Sequence, residues 1–190
     1  QAEKQDYETY MVTPDKDFAQ LVSKNIFMYR PGRMGTGIEI WGIPEIQEKF
    51  EIESPEQIID YLGMMGDSVD NIPGLPGVGD KTAKQLLGFF PTIEAILEHR
   101  HQLQDLPIRG ASQLADKLSA SEDQLSLSKQ LATIVTHTDI TAPIKSLTWQ
   151  GVHRDAFELF DEEMGFNRAF HNKLAMLRMR YDNSASTKEG

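Results

Sequence analysis

Two apolar rhythms divide this chain. Up to Trp41 the apolar residues gather in short β-branched and aromatic runs, and from Pro44 onward they recur every three to four positions. The first rhythm predicts strands. Tyr7 to Thr13 reads as a short buried strand ending at Thr13-Pro14, where Thr13 caps a helix with Pro14 at its first position and Phe18, Leu21 and Val22 on its apolar face. Ile26–Tyr29 is a second strand. Pro31–Gly37 is a turn, and Ile38–Trp41 returns as a third strand, which predicts a hairpin.

The second rhythm predicts helices. Ile46 and Phe50 are spaced i, i+4. Ser54-Pro55-Glu56-Gln57 has the form of a capping box with proline in the first turn, and Ile58, Leu62 and Met65 form a stripe behind it. Further helices are predicted over Asp80–Leu87, Thr92–Glu98, Ala111–Leu118, Glu122–Leu131, Arg154–Met164 and Asn167–Met179, with Ala132–Thr136 extended. Asp182–Gly190 is polar and expected to be disordered. The organisation expected is α/β: a sheet portion over residues 1–53, a helical portion over 54–180 and a tail over 181–190. Three strands alone make a poor sheet, so further strands are expected before Gln1.

Composition changes this picture little. A hydrophobic content of 39% and a charged content of 25% are ordinary for a globular protein. The absence of cysteine excludes disulfides and thiolate metal sites. No apolar run is long enough to cross a bilayer, so no membrane association and a cytoplasmic setting are the expectation. The net charge of −10 is uneven: residues 1–70 hold 6 Lys/Arg against 14 Asp/Glu, residues 71–118 hold 5 against 5, and residues 119–190 hold 8 against 10. An acidic first third suits carboxylates that collect divalent cations, and equally suits a plain acidic surface.

Three constellations carry candidate chemistry. In Thr13-Pro14-Asp15-Lys16-Asp17, a strand ending in Asp-x-Asp places two carboxylates where ligands of α/β folds gather. Hard divalent cations take such oxygens, although acids in a first helical turn also serve the helix dipole. In Gly66-Asp67-Ser68-Val69-Asp70-Asn71, Asp67 and Asp70 are i, i+3 and on a helical turn would point the same way, repelling unless a cation lies between them. A turn rich in Asp, Ser and Asn accounts for the same residues without metal. Finally, Ile72-Pro73-Gly74-Leu75-Pro76-Gly77-Val78-Gly79 opens a helix that carries Lys81, Thr82 and Lys84. Glycines there leave backbone N–H groups open to phosphate, so a helix–hairpin–helix grip on a nucleic-acid backbone fits better than a plain glycine-rich interhelical turn. The spacing fits neither a Walker loop nor a dinucleotide fingerprint. Trp41 and Trp149 read as packing residues, the histidines show no ligand spacing, and Arg109 is read either as a phosphate contact or as a surface residue.

Together these motifs resemble the 5′-nuclease family, in its branch of 5′→3′ exonuclease domains carried by bacterial DNA polymerases I. The resemblance rests on Thr13–Asp17, on Tyr61-Leu62-Gly63 with Gly66–Gly74, and on Gly77–Ala83. Weaker echoes are Arg109-Gly110-Ala111, Leu131–Ile134 and Met164-Gly165-Phe166, and the match runs from Tyr7 to Leu177. It implies a PIN-like or resolvase-like sheet followed by a helix–three-turn–helix domain. It further implies two Mg²⁺ or Mn²⁺ ions, with Asp15 serving the first and Asp17, Asp67 and Asp70 the second. Gly74, Gly77, Val78, Gly79, Lys81, Thr82, Lys84 and Arg109 would contact duplex DNA bearing a 5′ flap, nick or end, with K⁺ or Na⁺ near Leu75–Val78. The family's other metal carboxylates and its helical arch are expected in sequence before Gln1. The chain is therefore expected to be the C-terminal portion of a nuclease domain, monomeric, attached to a polymerase domain and able to bind DNA with little cleavage alone. The implied setting is primer removal and repair. Two rivals remain, a non-catalytic helix–hairpin–helix module and a phosphohydrolase built on Asp15 and Asp17.

Overall fold

A computed structural model describes residues 1–32, 37–140, 142–149 and 154–176. Two compact units emerge, Gln1–Asp139 and Ile140–Gly190.

In the first unit β1 (Thr9–Val12), β2 (Ile26–Arg30) and β3 (Glu39–Trp41) form one sheet in the order β1-β2-β3. β1 runs parallel to β2, with Met11 beside Met28, and β2 runs antiparallel to β3, with Met28 beside Trp41. The expected hairpin is therefore present, while the tip of its turn, residues 33–36, lies outside the described residues. Met28 and Trp41 are buried. On the other face Tyr10 stacks on Phe27 at 5.4 Å between ring centroids.

The β1–β2 connection departs from the expected α-helix. It is a 3-10 helix over Lys16–Leu21, and Asp15 rather than Thr13 is its N-cap, accepting from the Asp17 N–H at 3.0 Å. Thr13 acts one step earlier, its hydroxyl accepting from the Asp15 N–H at 3.1 Å. Two short polar side chains two residues apart each turn the backbone locally, and the tight 3-10 geometry follows.

Helices make up the rest of the unit. α1 (Ile43–Phe50) buries Ile46 and Phe50, the i, i+4 pair seen in the sequence. The capping-box segment forms a 3-10 turn over Pro55–Gln57, in which Gln57 Oε1 accepts from the N–H groups of Glu53 and Ser54 at 2.7 and 3.2 Å. α2 (Ile58–Met65) follows directly, and Ile58, Leu62 and Met64 are fully buried. α3 (Asp80–Phe89), α4 (Ile93–Glu98), α5 (Ala111–Ala120) and α6 (Glu122–Ala132) complete it. One apolar cluster runs from Ala19, Met28 and Trp41 through α2 to Leu118 and Leu125, so the sheet and the helices share a core. Helix α6 ends at Ala132, with Thr133 extended as expected.

Buried Gln20 locks the sheet side to the end of α6. Its amide donates to the carbonyls of Asp17 and Ala132, both at 2.9 Å, and its Oε1 accepts from the Ile134 N–H at 2.9 Å. Buried Asp60 does the same for α4, accepting from the Ile93 N–H at 2.9 Å and from Lys129 of α6 at 2.7 Å.

In the second unit α7 (Arg154–Met164) matches its expected span, and a further helix covers 168–176. Phe157, Phe160, Phe166 and Phe170 cluster here, with Phe166 and Phe170 stacked at 4.4 Å. The expected helix end at Met179 and the tail over 181–190 lie outside the described residues. Among the described residues, no helix is long and apolar enough to cross a membrane.

Candidate metal and nucleic-acid site

Asp17, Asp67 and Asp70 meet although they lie far apart in sequence: one oxygen from each falls within 4.8 Å of the others. Asp17 enters from the 3-10 helix after β1. Asp67 and Asp70 come from the loop after α2, and the expected helical turn there is replaced by a tight closed loop. Asp67 and Ile72 exchange backbone hydrogen bonds of 2.9 and 2.8 Å, and Asn71 turns the chain with φ 56°. Asp67 Oδ1 accepts from the Val69 N–H at 2.8 Å. An Asx-type turn, rather than a helix, thus aims the acids. Asp15 stays outside the trio, exposed and engaged as the cap of the 3-10 helix.

The electrostatics of the trio are unequal. The hydrogen bond from Lys16 holds Asp67 below the ordinary carboxylate range against the opposing effect of burial, with the Val69 N–H helping. Burial pushes Asp17 up, and the charges of Asp15 and Asp67 add to that rise against the opposing pull of Lys16. Asp17 Oδ1 is buried and makes no hydrogen bond, its nearest cation being the Lys16 ammonium at 3.5 Å. A buried carboxylate oxygen without a donor, beside two further carboxylates, is a donor set suited to a hard cation. Lys16 sits within this set, hydrogen-bonded to Asp67 Oδ2. No local pattern marks Lys16 for a role of its own, because its contact with Asp67 bridges 51 positions.

The hairpin lies directly behind the acid loop. Gly66 and Gly74, with φ of 74° and 63°, pack backbone to backbone, and a Cβ on Gly74 would fall 2.5 Å from the Gly66 nitrogen. Gly74 also donates to Ser128 Oγ at 3.1 Å and accepts from Gln124 at 2.7 Å, and Leu75 N–H donates to the Met64 carbonyl at 2.7 Å. Gly74 and Val78 are therefore buried, and their part in the hairpin is to hold its shape. Gly77, Gly79, Lys81 and Arg109 are the exposed members of the expected contact set.

Beside Gly77 opens a cleft of about 530 Å³ lined by Gly77, Lys81, Thr82, Gln85, Arg109 and Gly110. Lys81, Thr82 and Arg109, named from sequence, thus meet at one place. Lys84 does not line it. Its ammonium pairs with Asp80 at 3.2 Å and Glu51 at 3.6 Å and donates to the Lys49 carbonyl at 3.2 Å. It is spent on tying α3 to the end of α1. Lys117 of α5 carries no sequence signal of a role here, yet its ammonium lies 3.0 Å from where a Gly77 Cβ would be. Only the packing of α5 against the hairpin reveals it.

Residues 53–155 match the family described as 5′-3′ exonuclease, C-terminal SAM fold. The chain belongs to the 5′-3′ exonuclease family. Relatives of the chain include DNA polymerase I of Bacillus subtilis, 37% identical over 87% of the chain and 18% of the relative, and DNA polymerase I of Pseudomonas aeruginosa, 41% identical over 81% and 16%. A 5′-3′ exonuclease of Buchnera aphidicola is 34% identical over 84% of the chain and 54% of the relative. The chain thus spans under a fifth of the polymerases and about half of that exonuclease. Among solved structures, the T5 5′-exonuclease with bound zinc superposes with a TM-score of 0.55 at 23% identity, covering 68% of this chain and 44% of the other. A T5 D15 flap endonuclease complex with DNA and metal ions gives 0.54 at 22%, covering 68% and 44%. The expected α/β nuclease fold with its helical C-terminal portion is therefore present.

Proposed function

We propose that this chain is the C-terminal portion of a 5′→3′ exonuclease or 5′-flap endonuclease domain, gripping duplex DNA and supplying the carboxylates of one of two divalent-ion sites. The observation that carries this reading is the Gly66–Gly74 contact, which fixes the acid loop and the hairpin as one rigid piece. An ion held by Asp17, Asp67 and Asp70 would polarise a phosphodiester oxygen and lower the pKa of an attacking water.

The chain's own residues do the positioning. Lys81, Thr82, Arg109 and Lys117 hold phosphate oxygens at the cleft, and the exposed backbone of Gly77 and Gly79 lets the DNA strand approach closely. Backbone contacts carry no base code, so substrate choice follows the shape of a flap, nick or end. The acid loop, fixed to the hairpin, stands at a set distance from the gripped phosphates. Mg²⁺ or Mn²⁺ would suit the all-oxygen trio. Loop carbonyls near Leu75–Val78 would take K⁺ or Na⁺.

Asp15 stands apart from the trio, so the described residues offer one gathered site where two-ion hydrolysis needs two. DNA binding with little cleavage by the chain alone follows. Residues 1–53 supply Asp17, and 54–180 supply Asp67, Asp70 and the grip, within a monomeric cytoplasmic protein that shares its polypeptide with a polymerase domain and acts in primer removal and repair.

The test is a Mg²⁺-dependent assay on a 5′-flap duplex, comparing the 190-residue chain with a chain extended upstream and measuring binding and cleavage separately. Tight binding by both with cleavage by the longer one alone is the expected result. Robust cleavage by the 190-residue chain would overturn the single-site reading, and failure to bind would overturn the grip. A non-catalytic DNA-binding module would leave Asp67→Ala with Asp70→Ala indistinguishable from wild type in cleavage by the longer chain.

A further inference from the structure

We propose that Lys16 is a resident counter-cation of the acid trio: it holds Asp17 and Asp67 together in the ion-free protein and must leave when a divalent ion binds, so that it sets the affinity of the centre for metal. This rests on reading the trio as a divalent-ion site.

Lys16 and an ion would contend for the same oxygens. Asp67 Oδ1 is committed to the Val69 N–H, so Oδ2 is the oxygen left for an ion, and Oδ2 is the atom that Lys16 holds. Asp17 Oδ1 is the buried oxygen without a hydrogen bond, and it faces the same ammonium at 3.5 Å. An ion taking these two oxygens would occupy the place of the Lys16 Nζ. Three carboxylates within 4.8 Å repel strongly in a partly buried setting, and one ammonium offsets part of that repulsion before any ion arrives.

Departure is easy for this side chain. It is 35% exposed, so a rotation returns the ammonium to water rather than stranding it in the core. Its place between Asp15 and Asp17 keeps it tethered to the centre when displaced. Lys16 is thus a positioning residue for the acids and a competitor of the ion. Two ligands that exclude each other show a negative coupling, and couplings of this kind span roughly 5- to 150-fold in affinity. Partial exposure places Lys16 at the low end of that range.

The experiment measures Mn²⁺ affinity by calorimetry, and thermal unfolding in EDTA, for the 190-residue chain and its Lys16→Met, Lys16→Gln and Lys16→Arg variants. Lys16→Met and Lys16→Gln are expected to bind Mn²⁺ about five- to tenfold more tightly, at the low end of such couplings, and to unfold at lower temperature in EDTA. Lys16→Arg keeps the charge and is expected to stay near wild type in both. A merely structural lysine would lower stability without tightening metal binding. Wild type that binds Mn²⁺, with both neutral variants binding no more tightly, would overturn the role of Lys16 while leaving the metal site standing. No binding by any of the four proteins would overturn the metal site and this inference with it. Lys16→Gln keeps a hydrogen-bond donor toward Asp67, so the affinity comparison holds if Lys16→Met does not fold.

Discussion

Gly66 and Gly74 touch backbone to backbone, and a Cβ on Gly74 would lie 2.5 Å from the Gly66 nitrogen. This contact makes the end of α2, the acid loop and the hairpin one unit. Both glycines adopt positive φ, which side chains rarely accept, and both would drive an added methyl into backbone rather than into a side chain that could move. Gly74→Ala is therefore expected to cost at least about 2 kcal/mol in denaturant unfolding. Gly79 has ordinary φ and open space around its Cβ position, so Gly79→Ala is expected to cost under about 1 kcal/mol. Equal losses for the two would refute the account of the contact.

Asp17 and Asp67 are neighbours with opposite effects on the ion-free protein. Asp67 lies below the ordinary carboxylate range, so its contribution to stability is present above the unfolded value of about 3.9 and is lost as pH falls through the folded value. Asp17 is raised, so folding is favoured below the unfolded value and that advantage is lost as pH rises through the folded one. In EDTA at neutral pH, Asp17→Asn is expected to stabilise by about 0.5–1 kcal/mol, with the gain vanishing below about pH 4. Asp67→Ala removes both the Lys16 pair and the acceptor for the Val69 N–H, and is expected to cost about 1–3 kcal/mol. Thermal unfolding across pH checks both signs.

The cleft predicts a count of DNA phosphates. Each cation that neutralises a phosphate steepens the dependence of log K on log salt by about 0.9 for duplex DNA. Lys81→Gln, Arg109→Gln and Lys117→Gln are each expected to weaken duplex binding and to flatten that slope by roughly 0.9. Lys84→Gln is expected to leave the slope unchanged, because its ammonium is already committed to Asp80, Glu51 and the Lys49 carbonyl. It should instead cost stability, by about 0.5–1 kcal/mol. Titrations at several salt concentrations separate the two groups.

Features that depend on neighbours in sequence were legible before the fold was known. The three strands, the span of α7, the Gln57 cap and the cluster of exposed glycines all follow from local periodicity and turn chemistry. The family resemblance, not local pattern, grouped Asp17 with Asp67 and Asp70 and put Lys81, Thr82 and Arg109 in one contact set, and the fold brings each of these groups together. What was not legible is set by contacts across the chain. Lys81 and Lys84 look alike in sequence, and only the end of α1 distinguishes the one that is tied down. Lys117 lies 40 positions from Gly77, and Lys16 reads as a spacer between two acids until Asp67 folds onto it. Thr13 and Asp15 compete for the same cap, a choice that side-chain preferences alone do not settle.

Tyr61 gives the last test, because it anchors the hairpin's second helix from the core. Its hydroxyl donates to Asp80 Oδ1 at 2.7 Å, and Asp80 is the first residue of α3. Burial pushes the phenol well above its ordinary range, and the hydrogen bond to the Asp80 carboxylate pushes it further. The same bond lowers Asp80, with Lys84 adding to that effect against burial. A raised phenol contributes stability that is fully present below the unfolded value of about 10 and is lost as pH rises through the folded value. In an alkaline titration followed at the phenolate absorbance, one tyrosine is expected to ionise only as the protein unfolds. Tyr61→Phe should abolish that delayed step, cost about 1 kcal/mol at neutral pH, and leave the DNA salt slope unchanged because the phenol touches no phosphate. A delayed step that persists in Tyr61→Phe would assign it to another tyrosine and remove this anchor from the account of how α3 is held.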